Sequence, residues 1–164
     1  EVEGYSIAFC HFRAEMEMIK TELTKDGIES ELYHGSMSSS ERQAILAKFP
    51  IDRVSKKVLI IQIKAGGVGL NLQQFTSIFI ISPDWNPSNE IQAIARAHRI
   101  GQNKKVKVFK FTTIINDRFL EECDKEMNIK TIDQIIINKQ KLKRILMAEV
   151  LDDVTLEHNE VSLV

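Results

Sequence analysis

The feature that most constrains this chain is an alternation of two periodicities. Short runs rich in β-branched and aromatic residues, YSIAFC (5–10), ESELYH (29–34), KKVLIIQI (56–63), SIFIIS (77–82) and VKVFKF (106–111), are interleaved with stretches whose apolar residues fall at helical spacing. Such alternation specifies a parallel sheet with helices on both faces, because each crossover must carry the chain back before the next strand starts. KKVLIIQI has the composition of a core strand, whereas VKVFKF alternates charged and apolar residues and is expected at an edge or flank.

The helical stretches carry start and stop signals. In RAEMEMIKTELTKDG, Met16, Ile19 and Leu23 share a face and Gly27 marks the stop. SMSSSERQAILAKF opens on a capping box, Ser38 to Glu41, and continues through Ile45, Leu46 and Phe49. NPSNEIQAIARAH places Pro87 in a first turn behind Asn86. Beyond Phe111 the pattern becomes helical, with helices expected over Asn116–Met127 and Thr131–Met147, the second capped by Thr131 and Gln134. The expected class is α/β: a three-layer α/β/α unit over 1–113 with a mainly parallel sheet, C-terminal helices over 114–148, and an acidic tail over 149–164 that frays or docks.

With 164 residues, 43% of them hydrophobic and 27% charged, the chain has the size and composition of one globular domain with a real core. The net charge of −1 gives no general attraction to nucleic acid, but the distribution is uneven. Arg96 to Lys110 holds six Lys/Arg and no acid, and Glu149 to Glu160 holds five acids and no Lys or Arg. A local basic strip binds phosphates or simply faces solvent. Cys10 and Cys123 form no ligand spacing, so neither a zinc site nor a disulfide framework is expected, and a reducing compartment is. No apolar run is long enough to cross a bilayer, and no membrane partner is expected. The opening EVEGYSIAF has no initiator Met and no signal pattern, so the chain reads as a segment of a longer protein.

In parallel sheets ligands gather at the carboxyl ends of the strands, so the loops there are where chemistry is sought. IKAGGVGLNL (63–72) offers Gly66, Gly67 and Gly69, whose missing side chains expose backbone N–H groups, beside the point charge of Lys64. It is neither a Walker A loop nor a dinucleotide fingerprint, and a plain glycine turn explains the same letters. SPDWNP (82–87) holds the chain's one tryptophan, Trp85, which either stacks on a base or sugar or plugs the gap between loop and helix. In EIQAIARAHRIGQNKK (90–105), Arg96 and Arg99 lie three apart and are expected on one helix face, with Gln92 and His98 close by. Paired guanidinium groups suit a nucleotide γ-phosphate. In YHGSMSSSERQAILAKF, Gly35, Ser36 and Arg42 suit a phosphate, or only a capped helix.

IKAGGVGLNL, SPDWNP and QAIARAHRIGQ together resemble motifs V and VI, and the segment between them, of Swi/Snf-type DNA-translocating ATPases in helicase superfamily two. YSIAFCHF resembles motif IV, and YHGSMSSSERQAILAKF resembles the family's Gly-Ser-Thr…Arg…Phe segment. VKVFKF…INDRFLEE resembles the segment after motif VI, and the likeness covers about residues 5 to 130. Lys64 replaces a frequent arginine, as in the helicase-like transcription factor branch; Gln62 and Ile63 stand where Ser-Thr or Ser-Leu is common, and NDRF where Thr-Ile-Glu-Glu is usual.

The resemblance implies a second RecA-like lobe that closes on a first lobe holding ATP with Mg²⁺, with double-stranded DNA running across both. Arg96 and Arg99 would reach ATP as arginine fingers, aided by Gln92. Gly66, Gly67, Gly69 and Asn71 would couple nucleotide to DNA, with Gly67 and Gly69 beside the nucleotide. Lys64, Ala65, Trp85, Gly35, Ser36 and Arg42 would lie along DNA. The resemblance further implies an inactive isolated fragment, nucleosomes or other DNA-bound proteins as partners, and either a nuclear protein or one from the cytoplasmic factory or virion of a large DNA virus. The alternative is a catalytically silent nucleic-acid or protein-binding module of the same shape. A strand-separating helicase would end the arginine motif on GRxGR, not on HRIGQ.

Overall fold

The computed structural model describes residues 4–51, 55–65, 70–115 and 130–152. Five strands, β1 (Tyr5–Cys10), β2 (Glu29–Tyr33), β3 (Lys57–Gln62), β4 (Phe75–Ile80) and β5 (Lys107–Lys110), form one parallel sheet in the order β2-β3-β1-β4-β5. The helices are α1 (Arg13–Lys25), α2 (Ser39–Ala47), α3 (Pro87–Ala97) and α4 (Ile132–Asp152). β1 is central and buried along its whole length, while β5 closes one edge and is exposed throughout, as its alternation requires.

Because side chains alternate along a strand, each face of the sheet builds its own core. Ile7 and Phe9 of β1, Leu59 and Ile61 of β3, and Ile78 and Ile80 of β4 meet Ile45, Phe49, Ala93 and Ala97 from the α2 and α3 side. Ala8, Cys10 and Ile60 point the other way, onto Met16, Ile19 and Leu23 of α1. Burial pushes the Cys10 thiol up to about 12, with Glu15 adding to the effect, so it packs as an apolar group and is no nucleophile. β4 begins at Phe75, ahead of the expected Ser77, because the register steps from Tyr5↔Phe75 to Ser6↔Ser77. Thr76 is the extra residue, and this bulge lets Phe75 and Ile78 face the same core.

The expected caps form. Ser38 Oγ accepts from Glu41 N at 3.3 Å, and Glu41 Oε2 accepts from Ser38 N at 2.7 Å. Gly27 ends α1 at φ +69°, a left-handed conformation that disfavours any residue with a Cβ. Thr131 and Gln134 cap α4 reciprocally at 2.9 and 3.2 Å, and α4 runs past Met147 to Asp152. The helix expected over 116–127 lies outside the described residues, as does the tail beyond Asp152.

Phe49 is the hinge pin of the α2 side: its ring sits 5.3 Å from Tyr5 and 5.2 Å from Phe75, and it is fully buried. Phe49→Ala should cost about 3–5 kcal/mol through lost transfer energy and a residual cavity. A urea titration checks this by its midpoint, whereas the same change at exposed Phe12 should leave the midpoint nearly unmoved.

Candidate functional site

Parallel strands bring four loops to one edge. The loop after β1 starts at His11, and Gln62 at the end of β3 ties it to the loop after β2: Gln62 Nε2 donates to His11 O at 3.3 Å and Gly35 N donates to Gln62 Oε1 at 3.4 Å. Thus Gln62 bridges two edge loops. Ser36 Oγ lies 2.9 Å from His34 Nδ1 and accepts from Arg13 Nη1 at 3.3 Å. Burial lowers the His34 pKa below its usual 6.5, and the Arg13 charge adds to that, so the imidazole is neutral at pH 7. Arg42 is spent locally: Nη2 donates to Gly35 O at 2.6 Å, and its guanidinium lies 5.6 Å from the centre of the Tyr33 ring.

The backbone at Gly35 is not left-handed, and an added Cβ would meet only Gln62 Oε1, at an ordinary 3.8 Å. The fold itself therefore does not demand glycine there. Lys64 is exposed just past the end of β3, and the Ala65 side chain packs into the core. Gly66, Gly67 and Gly69 lie outside the described residues. Trp85 is 52% exposed, which removes the gap-plugging reading and leaves an indole face open to solvent beside the sheet edge.

A buried knot holds the Trp85 turn. Glu90, in the first turn of α3, is 1% exposed, and its Oε1 accepts from Asp84 N at 2.9 Å and from Gln140 Nε2 at 2.6 Å. Oε2 pairs with Lys110 Nζ of β5. Asp84 in turn accepts from Asn86 N and Asn89 Nδ2, and Gln140 also donates to Asp84 O. Burial alone would raise the Glu90 pKa, but the Lys110, Asp84 and Gln140 hydrogen bonds outweigh it and hold the carboxyl below its usual 4.5. Lys143 Nζ donates to Trp85 O at 2.9 Å, so α4 lies over this turn.

The paired arginines are at the other end of α3. The 11-residue helix starts at the carboxyl edge and points back toward the start of β4, where Leu72 N donates to Arg96 O. α3 also ends sooner than its sequence suggests. His98 leaves helical geometry at φ −90°, ψ 85°, so Arg99 stands beyond the helix instead of sharing a face with Arg96. Gln73 Nε2 donates to Ile100 O at 2.6 Å, and Gln102 Nε2 donates to Gln73 O at 2.7 Å and Ala97 O at 3.3 Å. Gly101, at φ +97°, makes the bend between them. The Ile-Gly-Gln ending is therefore a clamp that fixes Arg99 against the segment before β4. Arg99, Gln92 and Ile100 are exposed, Arg96 is half-buried, and Asn71 caps its own turn by accepting from Gln73 N.

The expected site residues thus fall into two groups at opposite ends of one helix. Gly35, Ser36, Arg42, Lys64 and Trp85 mark the carboxyl edge; Asn71, Arg96 and Arg99 mark the other, and Gln92 is exposed midway along the helix. Residues 2–101 match the helicase conserved C-terminal domain family. The chain belongs to that family. It is of the Swi/Snf ATPase type: it is 40% identical over 121 residues to the DNA repair protein RAD5 of Saccharomyces cerevisiae, covering 71% of this chain and 10% of RAD5. It is 37% identical over 125 residues to an uncharacterized ATP-dependent helicase of Schizosaccharomyces pombe, covering 75% and 12%. The chain therefore spans about a tenth of the length of these relatives. The crystal structure of the C-terminal part of the Fun30 ATPase domain matches the fold with a TM-score of 0.63 at 21% identity, over 89% of this chain and 48% of that one. The sheet and its helices are RecA-like.

The sequence reading passed over Arg13, His34, Asp84, Glu90, Lys110 and Gln140. Arg13 stood next to a quoted motif and was findable as a cation at a strand's carboxyl end. The Glu90 partners lie 20 and 50 residues away and left no local signal.

Glu90→Gln should destabilise the protein by about 1–3 kcal/mol, since the new amide cannot serve both the Asp84 N–H and the Lys110 ammonium. The wild-type contribution is complete above the ordinary 4.5 and is lost as pH falls through the lower folded value, so the variant should show a flatter acid limb in thermal melts between neutrality and acid.

Proposed function

We propose that this chain is the second motor lobe of a Swi/Snf-type ATP-dependent double-stranded DNA translocase, working with an N-terminal RecA-like lobe of the same polypeptide. The observation that carries the reading is the hydrogen-bonded 97–102 turn at the end of α3, which fixes the backbone from which exposed Arg99 projects, three residues from half-buried Arg96. A cation carried on a fixed backbone has less freedom to lose in meeting the negative charge that develops on a transferring phosphoryl group. Gln92, one turn before Arg96, orients the approach. Gly67 and Gly69 join Arg96 and Arg99 on the nucleotide side. Lys64, Ala65 through its backbone, Gly66, Trp85, Gly35 and Ser36, with Arg42 bracing the Gly35 turn, serve the DNA side, and Asn71, at the arginine end, couples nucleotide to DNA.

ATP with Mg²⁺ is held mainly by the other lobe. Among the described residues no three His, Cys, Asp or Glu lie close enough to share a metal ion, and the chain contains no Walker A loop to hold phosphates. The isolated chain is accordingly inactive as an ATPase. DNA binds through its phosphates along the carboxyl edge, where an open Gly35 lets the backbone approach and Trp85 supplies a flat apolar face. Chromatin or other DNA-bound proteins are the objects moved, and the protein is nuclear, in keeping with eukaryotic relatives.

The test is ATP turnover of the full-length protein with and without double-stranded DNA. Arg99→Ala should lower DNA-stimulated turnover by roughly 10³-fold or more while DNA affinity stays within about twofold. Stimulation that survives Arg96→Ala with Arg99→Ala would sink the arginine-finger role and favour the silent binding module. Gly35→Val should leave the melting temperature near wild type and weaken DNA binding, because its side chain would stand where the phosphate backbone approaches.

A further inference from the structure

Between the end of β5, the Pro83–Glu90 turn and α4 lies a cavity of about 200 Å³. Its charged lining is Glu90, Lys110, Lys141 and Arg144. Lys110 is neutralised by Glu90 on the floor, so the mouth is left with Lys141 and Arg144, both exposed and without an ion pair among the described residues. They belong to a run, Gln134 to Ala148, with four cations (Lys139, Lys141, Lys143, Arg144) and no acid. Through Lys143, α4 is tied to the carbonyl of Trp85, so these cations continue the carboxyl edge outward from the exposed indole.

We propose that α4 extends the double-stranded DNA surface past Trp85, with Lys141 and Arg144 neutralising backbone phosphates at the mouth of this cavity. The inference rests on the reading that DNA runs along the carboxyl edge. With Glu90 and Lys110 neutralising each other on the floor, an anion meets uncompensated positive charge at the rim, where Lys141 and Arg144 lie one turn apart on one side of α4. An acidic protein segment would satisfy the same two charges, but continuity with Trp85 and Lys64 favours a polyanion that already lies along this edge. Each phosphate neutralised releases counterions, so the contact is visible as a salt dependence.

The experiment measures affinity of the full-length protein for a double-stranded oligonucleotide across a salt series, comparing wild type with Lys141→Gln/Arg144→Gln, with Lys64→Gln and with Lys25→Gln, a cation paired to Glu22 at the far end of α1. The double variant should bind several-fold more weakly whatever the sequence, and its plot of log affinity against log salt should be shallower by about 1.8, two phosphates at about 0.9 each. Lys25→Gln should match wild type, and Lys141→Arg/Arg144→Lys should restore the slope. A double variant with the wild-type slope, alongside a Lys64→Gln variant whose slope falls, overturns the α4 contact and leaves the carboxyl-edge reading standing. A wild type with no measurable affinity for the oligonucleotide overturns both. Undiminished DNA affinity with lost binding to polyglutamate would assign the two cations to an acidic protein and also overturns the proposal.

Discussion

The interaction on which the surface features depend is the ionised Glu90 carboxylate inside the domain. A carboxylate removed from water is unfavourable unless every lone pair finds a donor. Here the donors come from three separate pieces of chain, the Asp84 amide of the turn, Lys110 of β5 and Gln140 of α4, and they meet on the first turn of α3, where the residue itself sits. The helix macrodipole at α3's N-terminus adds a favourable field for the same charge. Remove the carboxylate and each piece loses its common anchor. The Trp85 turn then loses the acceptor of its Asp84 amide, and α4 is left with Lys143 on Trp85 O, Gln140 on Asp84 O, and the Thr131 and Asp133 bonds to Thr113.

From that anchor α3 runs as a rod of about 16 Å, taking about 1.5 Å per residue, to the arginine end. The far end is fixed by a different device, the exchange of amide hydrogen bonds between Gln73 and the 97–102 segment. Neither end is tied to the other except through the helix and the sheet it packs on. Ala93 and Ala97 are buried against the sheet, so the helix is seated along the stretch between the Trp85 turn and Arg96. That is the arrangement a motor lobe needs if one end of α3 meets a polymer and the other meets a nucleotide.

Much of the frame was legible in the letters, since strand runs, caps and the glycine stop are local signals. Ser38 with Glu41, Asn86 before Pro87 and Thr131 with Gln134 all act within four residues, and all formed as their types dictate. What misled was tertiary. Arg96 and Arg99 are three apart and read as one helix face, yet the helix ends at Ala97, where Gln102 takes the Ala97 carbonyl and Gln73 reaches the Ile100 carbonyl beyond it. The start of β4 was hidden because Thr76 breaks the period of two that marks a strand. Ala65 read as loop because it adjoins glycines, but a methyl group beside a core strand is more stable buried.

The net charge of −1 is the least informative number in the sequence, and the structure says why. Exposed charges are screened over roughly 8 Å at physiological salt, so a phosphate responds only to the groups beside it. Lys25, Lys48, Lys57 and Lys110 are answered by Glu22, Glu31, Glu29 and Glu90 and present little field. Arg13 and Lys64 at the strand ends, Arg99 past α3, and Lys141 and Arg144 on α4 have no such partner among the described residues. A neutral chain can therefore still present unpaired cations at its surface, because part of its acid is placed against cations that pack into the fold. The placement of Glu90 fits that rule: it cancels Lys110, the one cation of its cavity that the fold requires, and leaves the two at the rim uncancelled.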